Sequence, residues 1–174
     1  MGMDGPERRD LIKEILLDAD GPVTGNELAA KFRVSRQVIV QDIALLRASG
    51  LEILATPQGY MPGSALKATR LLRTFAVKHN FEELEKELNI FVDNGAKVLD
   101  VIVEHPLYGE LKGMLMLSSR RDVQEFMQTL KKTNAYPLSV LTEGVHLHTV
   151  EADRPKTMEM IERDLEEAGI LLNK

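Results

Sequence analysis

The sequence has no cysteine and no tryptophan, and aromatic residues make up only 5% of its 174 residues. Without cysteine the chain can form neither disulfide bonds nor thiolate ligands to a metal ion. No apolar run approaches the ~20 residues that a membrane-spanning helix needs, and the charged, polar N-terminus lacks the pattern of a signal peptide. These absences favour a cytoplasmic protein with no membrane partner, and the length allows one or two domains.

Residues 35–50 carry the pattern of a helix together with its start and stop signals. Ser35 is placed to cap the first turn, and Gly50 follows the last periodic residue, where a left-handed residue is expected to end the helix. One face repeats at helical spacing through Val38, Ile39, Asp42, Leu45 and Leu46. The other faces carry Arg36, Gln37, Gln41 and Arg47. Arginine and glutamine side chains near the start of such a helix can reach base edges in the major groove of DNA.

A second helix is expected immediately upstream. The run Thr-Gly-Asn-Glu at residues 24–27 fits a capping box, in which Thr24 caps the first turn and Glu27 reaches back to it. Arg33 and Val34 then form the short turn that a helix-turn-helix requires. An apolar helix over residues 11–16 and a hairpin near residues 51–61 complete the order of a winged helix-turn-helix. An ordinary amphipathic helix at residues 35–50 is the alternative, and this context argues against it.

The segment resembles the bacterial winged-helix family of the biotin-repressor and deoxyribose-repressor type of DNA-binding domain. The resemblance rests on residues 24–29, residues 34–43 and the closing Gly59-Tyr60 pair. It implies double-stranded operator DNA as a partner, read by the exposed faces of the helix: Ser35, Arg36, Gln37, Gln41 and Arg47. The net charge is −5, so phosphate binding would depend on local cations beside this helix, such as Lys31 and Arg33.

A turn-forming stretch at residues 61–65 marks the expected boundary between two domains, 1–64 and 65–174. Extended runs are expected at residues 71–77, 98–103, 111–117, 138–141 and 145–150, and helices at residues 81–92, 121–132 and 157–168. We therefore predict an α+β fold, in which an N-terminal winged helix-turn-helix is followed by an α/β sandwich. The sandwich would be one antiparallel sheet with helices on one face.

Two of the four histidines lie in the extended run Gly-Val-His-Leu-His-Thr-Val at residues 144–150. The two-residue period of a strand puts His146 and His148 on one face, with Val145 and Leu147 on the other. Neutral imidazoles at this spacing can share a borderline metal ion such as zinc, nickel, copper or iron. The alternative is a pair of half-exposed histidines without a ligand, and spacing alone leaves both interpretations open.

His79 precedes a predicted helix rich in glutamate, and a solvated face is the ordinary interpretation of such acids. On one continuous helix, about 12 Å would separate His79 from Glu87, too far for a shared ion. The two can meet only if His79 lies before the helix and the chain turns near Asn80. Spacing therefore does not choose among the acids of this helix, Glu82, Glu83, Glu85 and Glu87.

Residues 77–79, 98–109 and 143–149 look like the 3H domain, which is named for its histidines. Joined to the winged helix, this domain makes the whole chain similar to niacin-responsive repressors of NAD biosynthesis and salvage genes. The resemblance implies a repressor that binds DNA as a homodimer, with nicotinic acid as co-repressor and one divalent transition metal ion, nickel or zinc. The metal ligands that it implies are His79, Glu87, His146 and His148. Glu87 has neighbouring glutamates that could take its place.

The site for nicotinic acid is less constrained. Either the ring nitrogen or the carboxylate could take an open metal position, and Arg73 or Lys78 could pair with the carboxylate, although both could equally be solvated. His105 belongs to the 3H motif and is a further candidate for ligand binding. It precedes Pro106 at a strand end, where a structural hydrogen bond is the other interpretation.

Other classes of protein fit part of the pattern. A metal-dependent hydrolase could use His146, His148 and a carboxylate base, but the sequence has neither an H-E-x-x-H helix nor a nucleophile elbow. A biotin ligase fused to the winged helix is excluded by size. A metal-sensing regulator, in which the ion itself is the signal, is the serious alternative. We therefore expect a regulator rather than an enzyme.

Overall fold

The computed structural model describes residues 3–66 and 70–172. The chain divides into two compact units, residues 1–68 and 69–174, each with an apolar core of its own. The expected boundary after residue 64 falls within the 3₁₀ helix Gly63–Leu66, which belongs to the first unit. The amide of Gly63 donates to the carbonyl oxygen of Glu52 at 2.9 Å, and this bond keeps the turn with the first unit.

The first unit contains three helices followed by a two-stranded antiparallel hairpin. The elements are α1 (Gly5–Asp18), α2 (Gly25–Phe32), α3 (Arg36–Ala48), β1 (Ile53–Thr56) and β2 (Gly59–Pro62). Each helix contributes apolar side chains to one core, formed by Ile12, Leu16, Leu28, Ile39, Ile43, Leu46 and Ile53. This order of elements confirms the predicted winged helix-turn-helix.

The helix-turn-helix formed by α2 and α3 follows the predicted capping pattern. Thr24 Oγ1 accepts from the amide of Glu27 at 3.1 Å, and the Glu27 carboxylate accepts from the amide of Thr24 at 2.7 Å. Arg33 ends α2 in the left-handed conformation, at φ 54°. Ser35 Oγ then caps α3 by accepting from the amide of Val38 at 3.3 Å. Local hydrogen bonds therefore fix where each of the two helices begins.

The second unit is a four-stranded antiparallel sheet with three helices on one face. Its elements are β3 (Leu71–Lys78), α4 (Leu84–Asp93), β4 (Lys97–His105), β5 (Gly109–Leu117), α5 (Arg120–Thr133), β6 (Val145–Ala152) and α6 (Pro155–Glu167). The strand order is β3-β6-β4-β5, so β6 is paired along both edges. This confirms the predicted α+β architecture. Throughout residues 3–66 and 70–172, every helix is too short or too polar to cross a membrane.

The core of the second unit lies between the sheet and its helices. It is formed by Phe75, Val77, Val98, Leu115, Leu117 and Val150 from the strands and by Leu88, Phe91, Val123, Met127, Ile161 and Leu165 from the helices. Full burial of one such side chain contributes roughly 1.5–3 kcal/mol. The strand that carries two histidines is thus held on a well-packed scaffold.

Two elements differ from the sequence-based prediction. Residues 138–141 were expected to be extended but lie in the 3₁₀ helix Leu138–Thr142. A run of four residues, three of them apolar, has no period that separates strand from helix. The amide of Gly144 donates to the carbonyl oxygen of Ser139 at 2.8 Å and closes the turn. The helix expected from residue 81 begins as the 3₁₀ turn Phe81–Glu83 and becomes α-helical only at Leu84.

Candidate functional site

Four side chains from three parts of the second unit converge on one buried point. His79 follows β3, Glu87 lies on α4, and His146 and His148 lie on β6; none is more than 8% exposed. Glu87 Oε2 lies 2.6 Å from Nε2 of His79, and Oε1 lies 3.3 Å from Nε2 of His146 and 3.2 Å from Nε2 of His148. The ligand atoms of His79, Glu87 and His146 all lie within 4.8 Å of one another. We call these four residues the His/Glu cluster.

His79 and Glu87 meet because the chain turns before the helix begins. Asn80 lies between β3 and the 3₁₀ turn at residues 81–83, so His79 is not part of the helix that carries Glu87. Of the four glutamates that spacing left open, Glu87 is fully buried, Glu83 is half-buried, and Glu82 and Glu85 are exposed. The fold therefore selects Glu87, which the period of the helix alone could not do.

Backbone carbonyl groups determine which ring nitrogen of each histidine carries a proton. Nδ1 of His79 lies 2.7 Å from the carbonyl oxygen of Asn80, and Nδ1 of His146 lies 2.9 Å from that of Gly144. Nδ1 of His148 lies 2.6 Å from the carbonyl oxygen of Asp100. Because a carbonyl oxygen only accepts, each Nδ1 is the donor, and a neutral ring then presents the lone pair of Nε2 to Glu87. Acceptors that face each other need a cation between them, either a proton or a metal ion.

The electrostatics of the cluster favour an anionic carboxylate. Burial alone would raise the pKa of Glu87, but the imidazoles outweigh burial and hold the pKa well below its ordinary value. Burial alone would lower the pKa of His148, but Glu87 outweighs it and raises that pKa. Glu87 Oε1 and His148 Nε2 are buried and 3.2 Å apart, but their geometry is not that of a hydrogen bond. Three imidazole nitrogens and one carboxylate form a donor set that fits zinc or nickel.

Sequence reasoning missed the backbone groups that hold the imidazoles. The carbonyl oxygens of Asn80 and Asp100 depend on the course of the chain, so no side chain signals them. The need for glycine at position 144 is apparent only from the structure. Its φ is 90°, and an added Cβ would collide with the carbonyl group of His79. These groups fix the direction of the three Nε2 atoms, as carbonyl partners do for metal-bound histidine.

Two cavities adjoin the His/Glu cluster. The smaller, of about 210 Å³, is lined by His146 and His148 and by apolar residues that include Val101, Gly113 and Phe126. We call it the inner cavity. The outer cavity, of about 570 Å³, is lined by residues that include Lys78 and His79. Pro137 and Ser139 border both, so the segment that was expected to be extended forms a wall of each.

The two cations proposed for the ligand carboxylate lie in different surroundings. Arg73 pairs with Glu162 of α6 at 2.5 Å, and its guanidinium lies 4.7 Å from the centre of the Phe75 ring. Lys78 is exposed at the rim of the outer cavity. Arg73 is thus engaged with α6, and of these two cations it is Lys78 that lies beside the cluster.

His105 lies in the turn between β4 and β5. Its Nδ1 accepts from the amides of Leu107 at 3.1 Å and Tyr108 at 3.3 Å, and its ring lies 5.0 Å from the ring of Tyr108. Within the part of the chain that the structure describes, it lines neither cavity. These two hydrogen bonds match the structural role that the sequence left open for His105.

The third helix of the first unit exposes the residues expected at a DNA interface: Ser35, Arg36, Gln37, Gln41 and Arg47. Gln37 and Gln41 are one turn apart and share a face. Val40, which sequence reasoning missed, is 38% exposed beside them and offers an apolar contact for a thymine methyl group. Leu45, which was placed in the helical repeat with Leu46, is 52% exposed, because it is about 200° around the helix from the buried Ile43.

The two arginines of α3 have different surroundings. Arg36 borders a cleft of about 350 Å³ between the start of α2 and the hairpin, with Thr24, Asn26 and Thr56 among its other lining residues. The Nε of Arg47 donates to the carbonyl oxygen of Ile53 at 3.0 Å and so ties β1 to α3. Arg36 therefore lies beside the start of α2 and the hairpin, whereas Arg47 has a structural role.

Comparison with known proteins supports the two-domain interpretation. Residues 8–61 match the family described as HTH domain, and residues 72–174 match the 3H domain family. The chain is 46% identical over 169 residues to the probable transcription repressor NiaR of Thermotoga maritima, covering 97% of this chain and 95% of that protein. It is 45% identical over 170 residues to the transcription repressor NadR of Bacillus subtilis, covering 97% and 94%.

Fold, site and similarity thus agree. The two relatives are named as transcription repressors, and the chain aligns with nearly their whole length. This similarity points to a regulator rather than an enzyme. The helix-turn-helix implies that DNA is a partner. The chain therefore belongs to the NiaR/NadR family of transcription repressors, in which a helix-turn-helix domain is joined to a 3H domain.

Proposed function

We propose that this repressor holds a divalent transition metal ion, nickel or zinc, and uses nicotinic acid as its co-repressor. The genes under its control would be those of NAD biosynthesis and salvage, and it would bind their operators as a homodimer. The ligands of the metal ion would be His79, Glu87, His146 and His148. The observation that carries the proposal is the His/Glu cluster, in which three Nε2 lone pairs face one buried carboxylate.

The donor set supports a metal ion more than a bare ion-pair network. Protons on all three Nε2 atoms would place three positive charges around one carboxylate in a buried site, whereas one metal ion can bind all four side chains. His148 Nε2 and Glu87 Oε1 lie 3.2 Å apart without the geometry of a hydrogen bond. Unpaired buried polar atoms cost about 1–3 kcal/mol each. A bound ion would supply a fixed positive charge that attracts an anionic ligand. The residues of the chain orient the imidazoles and keep the donor atoms away from water.

The nicotinic acid and dimer parts of the proposal rest on the resemblance to niacin-responsive repressors. The structure adds that cavities beside the cluster have room for a small organic molecule. A two-fold dimer would match the symmetry of the operators that helix-turn-helix repressors read. The second candidate function is a metal-sensing repressor. The His/Glu cluster favours it because a sensor of the ion itself needs only these metal ligands and no organic ligand.

Fluorescence anisotropy on DNA from upstream of its own gene separates these functions. Four samples are compared: metal-free protein and Ni²⁺-loaded protein, each with and without nicotinic acid. We expect tight binding only when both are present, with at least a ~5-fold gain over Ni²⁺ alone. Full binding with Ni²⁺ alone would replace the proposal by the metal sensor. No response to either would exclude both functions.

A further inference from the structure

The pairing of β4 with β6 is irregular beside the His/Glu cluster. Val98 of β4 pairs with Val150 of β6, and Ile102 pairs with Leu147. Between these pairs β4 takes four steps along the chain where β6 takes three, so β4 carries one extra residue. Asp100 is the middle residue of this β-bulge. Bulges interrupt the ladder of hydrogen bonds and are frequent next to functional sites, where they redirect a chemical group.

Asp100 makes two hydrogen bonds across the bulge, one through its side chain and one through its backbone. Its Oδ1 accepts from the amide of Thr149 at 2.9 Å. Its carbonyl oxygen accepts from Nδ1 of His148 at 2.6 Å. In an unbroken antiparallel ladder, an amide such as that of Thr149 donates to a backbone carbonyl oxygen of the next strand. Here the carboxylate takes that place, and the carbonyl oxygen is left for the imidazole.

The carboxylate of Asp100 has no close substitute in this position. The residue is only 4% exposed, and a side chain without an acceptor would leave the amide of Thr149 unpaired inside the sheet. An unpaired donor is costly, so this amide would compete with His148 for the carbonyl oxygen of Asp100. The contact with Lys112 is a weaker constraint, because Nζ lies 3.9 Å from Oδ2 and the lysine side chain is 46% exposed.

We propose that Asp100 is a positioning residue for the metal site: its carboxylate holds the bulge of β4, and its carbonyl oxygen thereby aims Nε2 of His148 at the ion. A partner on the second ring nitrogen orients a metal-bound histidine, and its loss typically lowers metal affinity by about 10- to 100-fold. Asp100 acts through His148 and does not itself bind the ion. This inference rests on the proposed function, because it requires that the His/Glu cluster hold a metal ion.

Four variants of the full chain separate geometry from charge and from burial. Asp100→Ala removes the acceptor, and Asp100→Asn keeps an oxygen that can accept from the same amide. Asp100→Glu keeps the charge but moves the oxygen atoms by one bond. Glu151→Ala is the matched control, because Glu151 is a similarly buried acid of the same sheet, 7% exposed, that pairs with Arg70 at 3.0 Å. It lies on the opposite face of β6 from His148.

NMR of the metal-free chain with ¹⁵N-labelled histidine reports on the ring of His148 directly. A proton on Nδ1 that is bonded to a buried carbonyl oxygen exchanges slowly with water. We expect one such signal from His148 in wild type, assigned by its loss in His148→Gln. The signal should persist in Asp100→Asn and Glu151→Ala and disappear in Asp100→Ala. A purely structural role of Asp100 would lower the stability in urea but leave this signal in place.

Equilibrium dialysis of the same variants gives their affinity for Ni²⁺. We expect Asp100→Ala to bind Ni²⁺ at least about 10-fold more weakly than wild type, with Asp100→Glu intermediate. Asp100→Asn and Glu151→Ala should stay within about 3-fold of wild type. If Asp100→Ala does not fold, Asp100→Glu carries the same test. The assignment is overturned if the folded Asp100→Ala matches Glu151→Ala in both measurements, or if Asp100→Asn loses as much affinity as Asp100→Ala.

The outcomes for the two proposals are distinct. Wild-type protein that binds Ni²⁺, with an Asp100→Ala variant that behaves like the control, would keep the metal site and overturn the role of Asp100. Wild-type protein that binds neither Ni²⁺ nor Zn²⁺ would overturn the metal site and the part of Asp100 in it. The His148 signal of the metal-free chain would still decide whether Asp100 holds the ring.

Discussion

The three histidines of the His/Glu cluster have both ring nitrogens directed at oxygen acceptors. In each ring Nδ1 lies against a backbone carbonyl oxygen, and Nε2 lies toward the carboxylate of Glu87. A neutral imidazole has only one donor. Each Nε2 therefore needs either a proton of its own or a metal ion that it shares with Glu87, and the metal ion is the alternative that we propose.

Glu87→Gln should lower the affinity for Ni²⁺ by at least about 10-fold, because it removes the only carboxylate oxygens among the four proposed ligands. The metal-free variant should stay folded, since the amide NH₂ of glutamine can donate to an Nε2 atom. Equilibrium dialysis with metal analysis gives the affinity, and circular dichroism checks the fold. Glu85→Gln, at an exposed position on the same helix, is the matched control and should bind Ni²⁺ like wild type. Unchanged affinity in Glu87→Gln would exclude Glu87 as a ligand.

Gln41→Ala should weaken operator binding by about 1–3 kcal/mol, because an amide side chain in the major groove can bond to adenine at two positions. Binding to DNA of unrelated sequence should change little. Gln124→Ala, an equally exposed glutamine on α5, is the control. Anisotropy titrations at one fixed salt concentration give both affinities. Equal losses on operator and unrelated DNA would show that Gln41 does not read a base.

At the residue scale, the sequence predicted which histidines share a strand face better than it predicted which side chains meet in the folded protein. The strand period puts His146 and His148 on one face, and the structure places them there. The choice of Glu87, the burial of His79 and the engagement of Arg73 by Glu162 depend on tertiary packing. None of these is encoded in a local period, so sequence reasoning could only leave them open.

At the scale of elements, α3 is fastened to the rest of its unit through a buried acid. Asp42 is 2% exposed and accepts from Arg8 of α1, with Nε to Oδ2 at 2.6 Å and Nη2 to Oδ1 at 3.3 Å. Arg9 adds a contact at 3.4 Å. This pair fixes the rotation of α3 about its axis and therefore which side chains face outward.

Asp42→Asn should lower the free energy of unfolding of the first unit by about 2–3 kcal/mol, because a charged hydrogen-bonded pair is lost and Arg8 is left without its carboxylate. Urea titration followed by circular dichroism measures the change. Asp10→Asn, on an exposed face of α1, should stay within about 0.5 kcal/mol of wild type. A loss no larger than that of the control would show that the pair does not hold α3.

The start of α5 gives a prediction for pH. Partial burial alone would raise the pKa of Asp122, but hydrogen bonds from Ser118 and Ser119 outweigh it and lower the pKa below the ordinary 3.8. A lowered pKa in the folded state stabilises the protein above the unfolded value, and the gain is lost as pH falls through the folded value. Asp122→Asn should therefore cost about 0.5–1 kcal/mol at pH 7.

That cost should shrink as the pH falls below 3.8, because Asp122 itself is then becoming protonated. Urea titrations of wild type and Asp122→Asn at neutral and acid pH give the difference. A difference between the two proteins that grows toward acid pH would contradict the assigned hydrogen bonds.

The sequence predicted the elements that have N-cap residues and a regular spacing of apolar side chains, but not the segment that has neither. Thr24, Glu27 and Ser35 cap their helices as the sequence indicates. Residues 138–141 have neither caps nor a period, and their 3₁₀ conformation depends on the bond from Gly144 to Ser139. The wall of both cavities was therefore the part of the site that the sequence described least well.

At the scale of the whole molecule, the sequence predicted two domains and their classes because each has its own apolar pattern. The helix-turn-helix lies in the first unit and the His/Glu cluster in the second. A co-repressor must therefore act through a coupling free energy between two sites, typically about 1–3 kcal/mol. Such coupling requires that the ligand bind more tightly to the DNA-binding arrangement than to the other.

We propose that the three imidazoles and the carboxylate of the His/Glu cluster hold a transition metal ion. An X-ray absorption spectrum of Ni²⁺-loaded protein at the nickel K-edge, with the metal content of the same sample, tests it most directly. We predict one nickel ion per chain and the outer-shell scattering of three imidazole rings. A spectrum with oxygen neighbours and no imidazole scattering, or a metal content far below one per chain, would contradict the account.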